Sequence, residues 1–213
     1  MLLSRKCHDY CMTSTTDFRT AAQAFLDLVG DVRLDQWEDP ALGNWNVRSL
    51  VGHTSRAILT VETYLRADAP AEANLPDAET YYERVLGEYT DNDAIAERGV
   101  AAGHALTEDS GIEFAAALDR VMALIEENGP DRIVAIGSFG IPLSEYLRTR
   151  VFELVVHNMD IAKAANLNHG IPDEVIASAA ELAARVAVRS GHGVDILFAL
   201  TGRRPLPPRF SIL

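Results

Sequence analysis

The sequence predicts an all-α helical bundle. Apolar residues recur at helical spacing over several long segments, strand-like runs are almost absent, and one lengthy polar connection separates the second helix from the later ones. At 213 residues the chain has the size of a single domain, and 48% hydrophobic against 23% charged residues suffices for a sizeable core.

Residues 1–11 are polar and aperiodic and are expected to form a disordered extension, with the bundle over 12–202 and a Pro-rich tail over 203–213. Cys7, His8 and Cys11 lack a fourth soft ligand there and are given no metal role. Thr15, Thr16 and Asp17 then offer caps for a first helix. Its apolar positions Ala21, Ala22, Phe25, Leu26, Leu28 and Val29 recur at helical spacing, and Gly30 is a plausible stop.

Residues 31–46 carry turn residues and two tryptophans, ending at Asn46, a natural N-cap for the second helix, VRSLVGHTSRAILTVETYLRA. The Ala-, Pro- and acid-rich stretch after it reads as a loop into one or two helices over about 81–128, ended by Gly129 and Pro130. DRIVAIGSFG reads as a short extended connection. A helix over about 144–165 follows, then one from Asp173 to Arg189, then a last turn or two before the tail.

A net charge of −12 lacks the cationic footprint that nucleic acid or an anionic membrane requires, so neither is expected as a partner. No apolar run approaches a membrane span, and the first residues carry charges where a signal peptide would be apolar. With no disulfide framework across the body of the chain, a reducing cytoplasm is the expected location.

From Val151 to Val156 the 144–165 helix is apolar at every position except Glu153, which predicts burial on all faces and a partner for that carboxylate. His157 lies one turn on along the same face. His53 falls on the inward stripe Leu50, His53, Ala57, Tyr64 of the second helix. Two imidazoles and one carboxylate suit zinc or another divalent metal, with open positions for water or substrate. The same pattern also describes a satisfied core histidine beside an ordinary Glu-x-x-x-His helix pair, and spacing alone does not choose. Arg150 and Asp160 share the Glu153 stripe and are the nearest polar neighbours expected. Asp160 suits the second ring proton of a ligand histidine or a surface pair with Lys163 or Arg150, and Arg150 suits a substrate carboxylate or Glu153 itself. Trp37, Trp45 and Tyr64 are expected to pack rather than to line a cavity. His104, His169 and His192 fall at helix ends or in loops and are expected to be solvated or to cap.

Two strings carry a resemblance. W-x-x-P-x-L-x-x-W-N-V-R-x-L-V-G-H, from Trp37 to His53, and YLRTRVFELVVHNMDIA, residues 146–162, resemble motifs of the mycothiol-dependent maleylpyruvate isomerase family. LTGRRPLP, residues 200–207, is similar to the tail of relatives. The resemblance spans about residues 14–213. It implies a DinB-like four-helix bundle with a long crossover and an extra carboxyl-terminal helix. It further implies the family's metal-binding amino-terminal domain without the sterol-carrier-like second domain, and His53, Glu153 and His157 as ligands of a divalent metal, usually zinc.

By that resemblance the expected cosubstrate is a low-molecular-weight thiol, mycothiol, ionised at the metal for S-transfer to, or isomerisation of, a small electrophile. A metal-dependent hydrolase using bound water, or a non-catalytic metal- or thiol-binding regulatory bundle, would use the same residues. Monomer and homodimer are both left open.

Overall fold

The computed structural model describes the backbone of residues 2–89, 92–129 and 131–212, and the side chains of those residues except 2–12, 85–89, 92 and 93. Among them eight helices account for most of the chain: α1 (Leu2–Asp31), α2 (Val47–Arg66), α3 (Ala78–Tyr89), α4 (Asn92–His104), α5 (Ser110–Asn128), α6 (Leu143–Ala165), α7 (Asp173–Arg189) and α8 (Gly193–Leu200). Two antiparallel hairpins join them, β1 (Pro40–Leu42) with β2 (Trp45–Asn46) and β3 (Ile133–Ile136) with β4 (Phe139–Pro142). The fold is the expected all-α, DinB-like bundle with an extra helix at its carboxyl-terminal side.

Four helices enclose the core, and side-chain contacts set their directions. Gln36, just past α1, donates to the Ala165 carbonyl at the end of α6 (2.6 Å), so α1 and α6 end together. Thr60, late in α2, bonds Tyr146, early in α6 (2.9 Å), so those two run antiparallel. Arg120 of α5 donates to Glu62 of α2 (2.9 Å), and Arg132, just past α5, reaches the Leu65 and Ala67 carbonyls at the end of α2. Helices α2 and α5 are therefore parallel, which requires a return connection as long as the bundle. That connection contains α3 and α4. Phe18 and Phe25 of α1, Leu50 and Ile58 of α2, Val121 of α5, and Leu147, Leu154 and Ile161 of α6 fill the interior. Each such side chain contributes about 1.5–3 kcal/mol by leaving water.

Local chemistry explains most boundaries. The Asn46 side chain accepts from the Ser49 amide (2.9 Å) and opens α2 as expected. Gly129 closes α5 at a positive φ of 73°, again as expected. The extended connection is a hairpin, with Ile136 opposite Phe139 and Gly137 at φ 58° in its two-residue turn.

Several expectations need correction. Helix α1 is continuous from Leu2 through Gly30 to Asp31, so Thr15, Thr16 and Asp17 lie inside it and cap nothing. Asp17 instead accepts from Ser178 of α7 (2.6 Å), which satisfies it without the local backbone. The side chains of the expected 1–11 extension, Cys7, His8 and Cys11 among them, lie outside the described residues. The 81–128 region holds three helices, the first starting at Ala78 because Asp77 accepts from the Thr80 amide (2.7 Å). Helix α6 is not buried on every face, since Val156 is 36% exposed.

Candidate metal centre

Helices α2 and α6 pass side by side, and their antiparallel course brings the second turn of α2 against the fourth and fifth turns of α6. His53 therefore meets Glu153 and His157. The His53 and His157 rings stand edge to face with centroids 5.0 Å apart, and His157 Nε2 lies 3.4 Å from Glu153 Oε2. One potential ligand atom from each of the three lies within 4.8 Å of the others. An ion held at about 2.0–2.2 Å by tetrahedral ligands has ligand atoms about 3.4 Å apart, so the Glu153–His157 pair already has the separation of one tetrahedral edge. The donor set is chemically suited to a divalent ion, and the three face a cleft of about 550 Å³ rather than a closed core.

The neighbours hold these side chains in place. Asp160 Oδ2 lies 3.3 Å from His157 Nδ1. Asp160 thus pairs with the His157 ring at Nδ1, which leaves Nε2 toward Glu153. Tyr82 donates toward Glu153 Oε1 and the Thr149 carbonyl, each at 3.3 Å. The Trp45 ring lies 4.6 Å from the His53 ring, and its indole N–H donates to the Ala96 carbonyl (3.0 Å), fixing it to α4. Gly99 permits this approach: a Cβ there would sit 2.6 Å from the indole.

Arg150 has no carboxylate within hydrogen-bond distance among the described residues. Its guanidinium donates to Thr149 Oγ1 (3.0 Å) and the Tyr81 hydroxyl (3.2 Å) and lies over the Tyr146 ring at 4.9 Å. It is close enough to Glu153 for their charges to interact.

Electrostatics separate the three candidates. Burial and the nearby His157 push the His53 imidazole down to about 4, so it is neutral at pH 7. Burial pushes the Glu153 carboxyl up, but the His157 hydrogen bond and the Arg150 charge outweigh it and hold the carboxyl at about 2. Burial likewise pushes His157 down, yet its hydrogen bonds to Asp160 and Glu153 raise it to about 9. Without a metal the site is thus an imidazolium between two carboxylates beside a neutral imidazole.

All five residues singled out in the sequence, His53, Arg150, Glu153, His157 and Asp160, meet at this site. Trp45 and Tyr64 pack against the core cluster as expected and, in addition, line the cleft, because the hairpin end and the α2 stripe reach its wall. Trp37 does pack, with Arg48 over its ring at 5.2 Å. His104 closes α4, His169 accepts from the Ile171 amide (3.1 Å) and His192 precedes α8, as expected for capping positions. Tyr81 and Tyr82 open the expected 81–128 helical region and carry no site signal in the sequence; the Asp77 cap in front of them marks the helix that brings both to the site.

No curated protein and no solved structure matches the chain at a significant level. The family model described as Mycothiol maleylpyruvate isomerase N-terminal domain matches residues 18–162, a span that takes in α2, the crossover helices and the His53–Glu153–His157 cluster. The chain therefore belongs to the mycothiol maleylpyruvate isomerase N-terminal domain family.

Proposed function

We propose that His53, Glu153 and His157 hold a divalent metal, zinc by the character of the donors, and that the protein activates a low-molecular-weight thiol, mycothiol, for S-transfer to or isomerisation of a small electrophile. The observation that carries this reading is the convergence of two imidazoles and one carboxylate on the wall of an open cleft. Family membership supports the choice of thiol. A bound divalent metal supplies the charge that ionises a coordinated thiol at neutral pH, where a free thiol with a pKa near about 8.5 is mostly protonated.

The chain's own residues do the positioning. Asp160 orients the His157 ring through Nδ1, and Tyr82 steadies Glu153. Arg150, fixed by Tyr81 and Tyr146, keeps the Glu153 carboxylate ionised. Trp45 covers one side of His53 and restricts water there. Among the described residues no helix is long and apolar enough to cross a membrane, and the cytoplasm expected from cysteine usage would supply a reduced thiol.

Zinc-loaded protein assayed on a panel of small electrophiles with and without mycothiol tests the proposal. Turnover that requires both metal and thiol is expected. Turnover without thiol would replace it with the hydrolase reading, and saturable thiol binding without turnover would replace it with a binding role.

A further inference from the structure

One wall of the cleft comes from far along the chain. Ile212 lines it together with Tyr64, Tyr81, Ile95 and Ile136, and also packs on the core cluster. The segment leading there leaves α8 at a base fixed by Arg204, which bonds Asp195 and lies over the Phe198 ring at 5.2 Å. Residues 201–209 are then exposed throughout and have no regular secondary structure. Arg209 turns the chain at φ 62°, in the left-handed region, and the Phe210 amide bonds the Pro207 carbonyl (3.1 Å). After that turn burial alternates: Phe210 rests its ring on His192 with centroids 5.2 Å apart, Ser211 faces outward, and Ile212 enters the cleft wall.

A segment with so little buried surface opens at low free energy compared with the bundle it lies on. We propose that Pro205–Ile212 is a movable strap and that Ile212 sets the upper size of what passes into the cleft. With Ile212 seated, small reactants reach the cleft floor, whereas larger ones enter only when the strap lifts at the Arg209 turn. This deepens the proposed function by adding a size-selecting residue to the same site. It rests on that function only for what lies behind the strap.

Its test needs no metal. A reporter cysteine is placed in the cleft as Thr60→Cys, with Cys7 and Cys11 changed to Ser, and its rate of modification is compared for methyl methanethiosulfonate and for a bulky aryl maleimide. Ile136→Cys gives a second reporter in the same cleft should Thr60→Cys fail to fold. Ile212→Gly, or removal of residues 206–213, is expected to raise the bulky-to-small rate ratio about tenfold, the scale of one partly buried isoleucine in a closed-to-open equilibrium. An unchanged ratio in both variants would overturn the strap. Because the readout is independent of metal and thiol, its failure would be distinct from failure of the proposed function.

Discussion

His157 presents Nδ1 to Asp160 at 3.3 Å and Nε2 to Glu153 at 3.4 Å, so a single imidazole links two carboxylates of one helix. The Asp160 contact fixes which nitrogen is free for a metal. Asp160→Asn should therefore weaken metal binding about 10- to 100-fold while leaving the helical circular dichroism unchanged. Competition titration against a chromophoric chelator reads this; undiminished affinity would remove Asp160 from the site.

Metal binding should release protons. At pH 7 the metal-free His157 is protonated, because its carboxylate partners raise it to about 9, whereas His53 at about 4 is already neutral. A ligand imidazole must be deprotonated, so binding near pH 7 should expel about one proton per chain and tighten as the pH rises toward 9. Calorimetry in buffers of different ionisation enthalpy measures the number directly.

The same shifts set the stability of the metal-free protein. His157 is raised in the folded state, so its contribution is fully present below about pH 6.5 and is lost as the pH climbs through 9, a change of about 3 kcal/mol at most. Glu153 is lowered, and its contribution is lost as the pH falls from about 4.5 toward 2. His53 is lowered as well, so it destabilises the fold as the pH falls from about 6.5 toward 4. Urea denaturation of metal-free protein should show greatest stability near pH 6–7, with a loss above pH 7 that bound metal suppresses.

Gly52 marks where α2 and α4 touch. A Cβ there would lie 2.4 Å from the Gly103 amide nitrogen and 2.6 Å from the Ala102 carbonyl carbon, both backbone atoms that cannot move alone. On an exposed helix Gly→Ala would gain about 1 kcal/mol in propensity. Here the sign should reverse, and Gly52→Ala should cost about 1–3 kcal/mol in chemical denaturation as the helices are forced apart. Gly30→Ala, with no atom within 4 Å of its added Cβ, is the control and should not destabilise.

Much of this site was legible in the sequence because it sits on two strongly periodic helices. Glu153 is conspicuous as the one charge in an apolar run, and His157 follows from helical geometry alone. That His53 meets them was not decided by spacing, since it depends on α2 and α6 being antiparallel neighbours, a relation between elements about a hundred residues apart. Tyr81, Tyr82, Ile212 and the cleft-facing side of Trp45 carry no such signal for the same reason: each belongs to a connection or tail whose course is set by tertiary contacts. The start of α1 was misjudged because Asp17 resembles a cap locally while its partner, Ser178, lies on α7.

The most direct test of the account is the metal content of protein purified without chelator, read by elemental analysis beside His53→Ala, Glu153→Gln and His157→Ala, with His104→Ala as control. About one divalent ion per chain is expected in the native and His104→Ala proteins, none in His157→Ala or His53→Ala, and a reduced amount in Glu153→Gln, all with native helical content. An ion retained by His157→Ala, or a native protein that takes up none on titration with zinc, would contradict it.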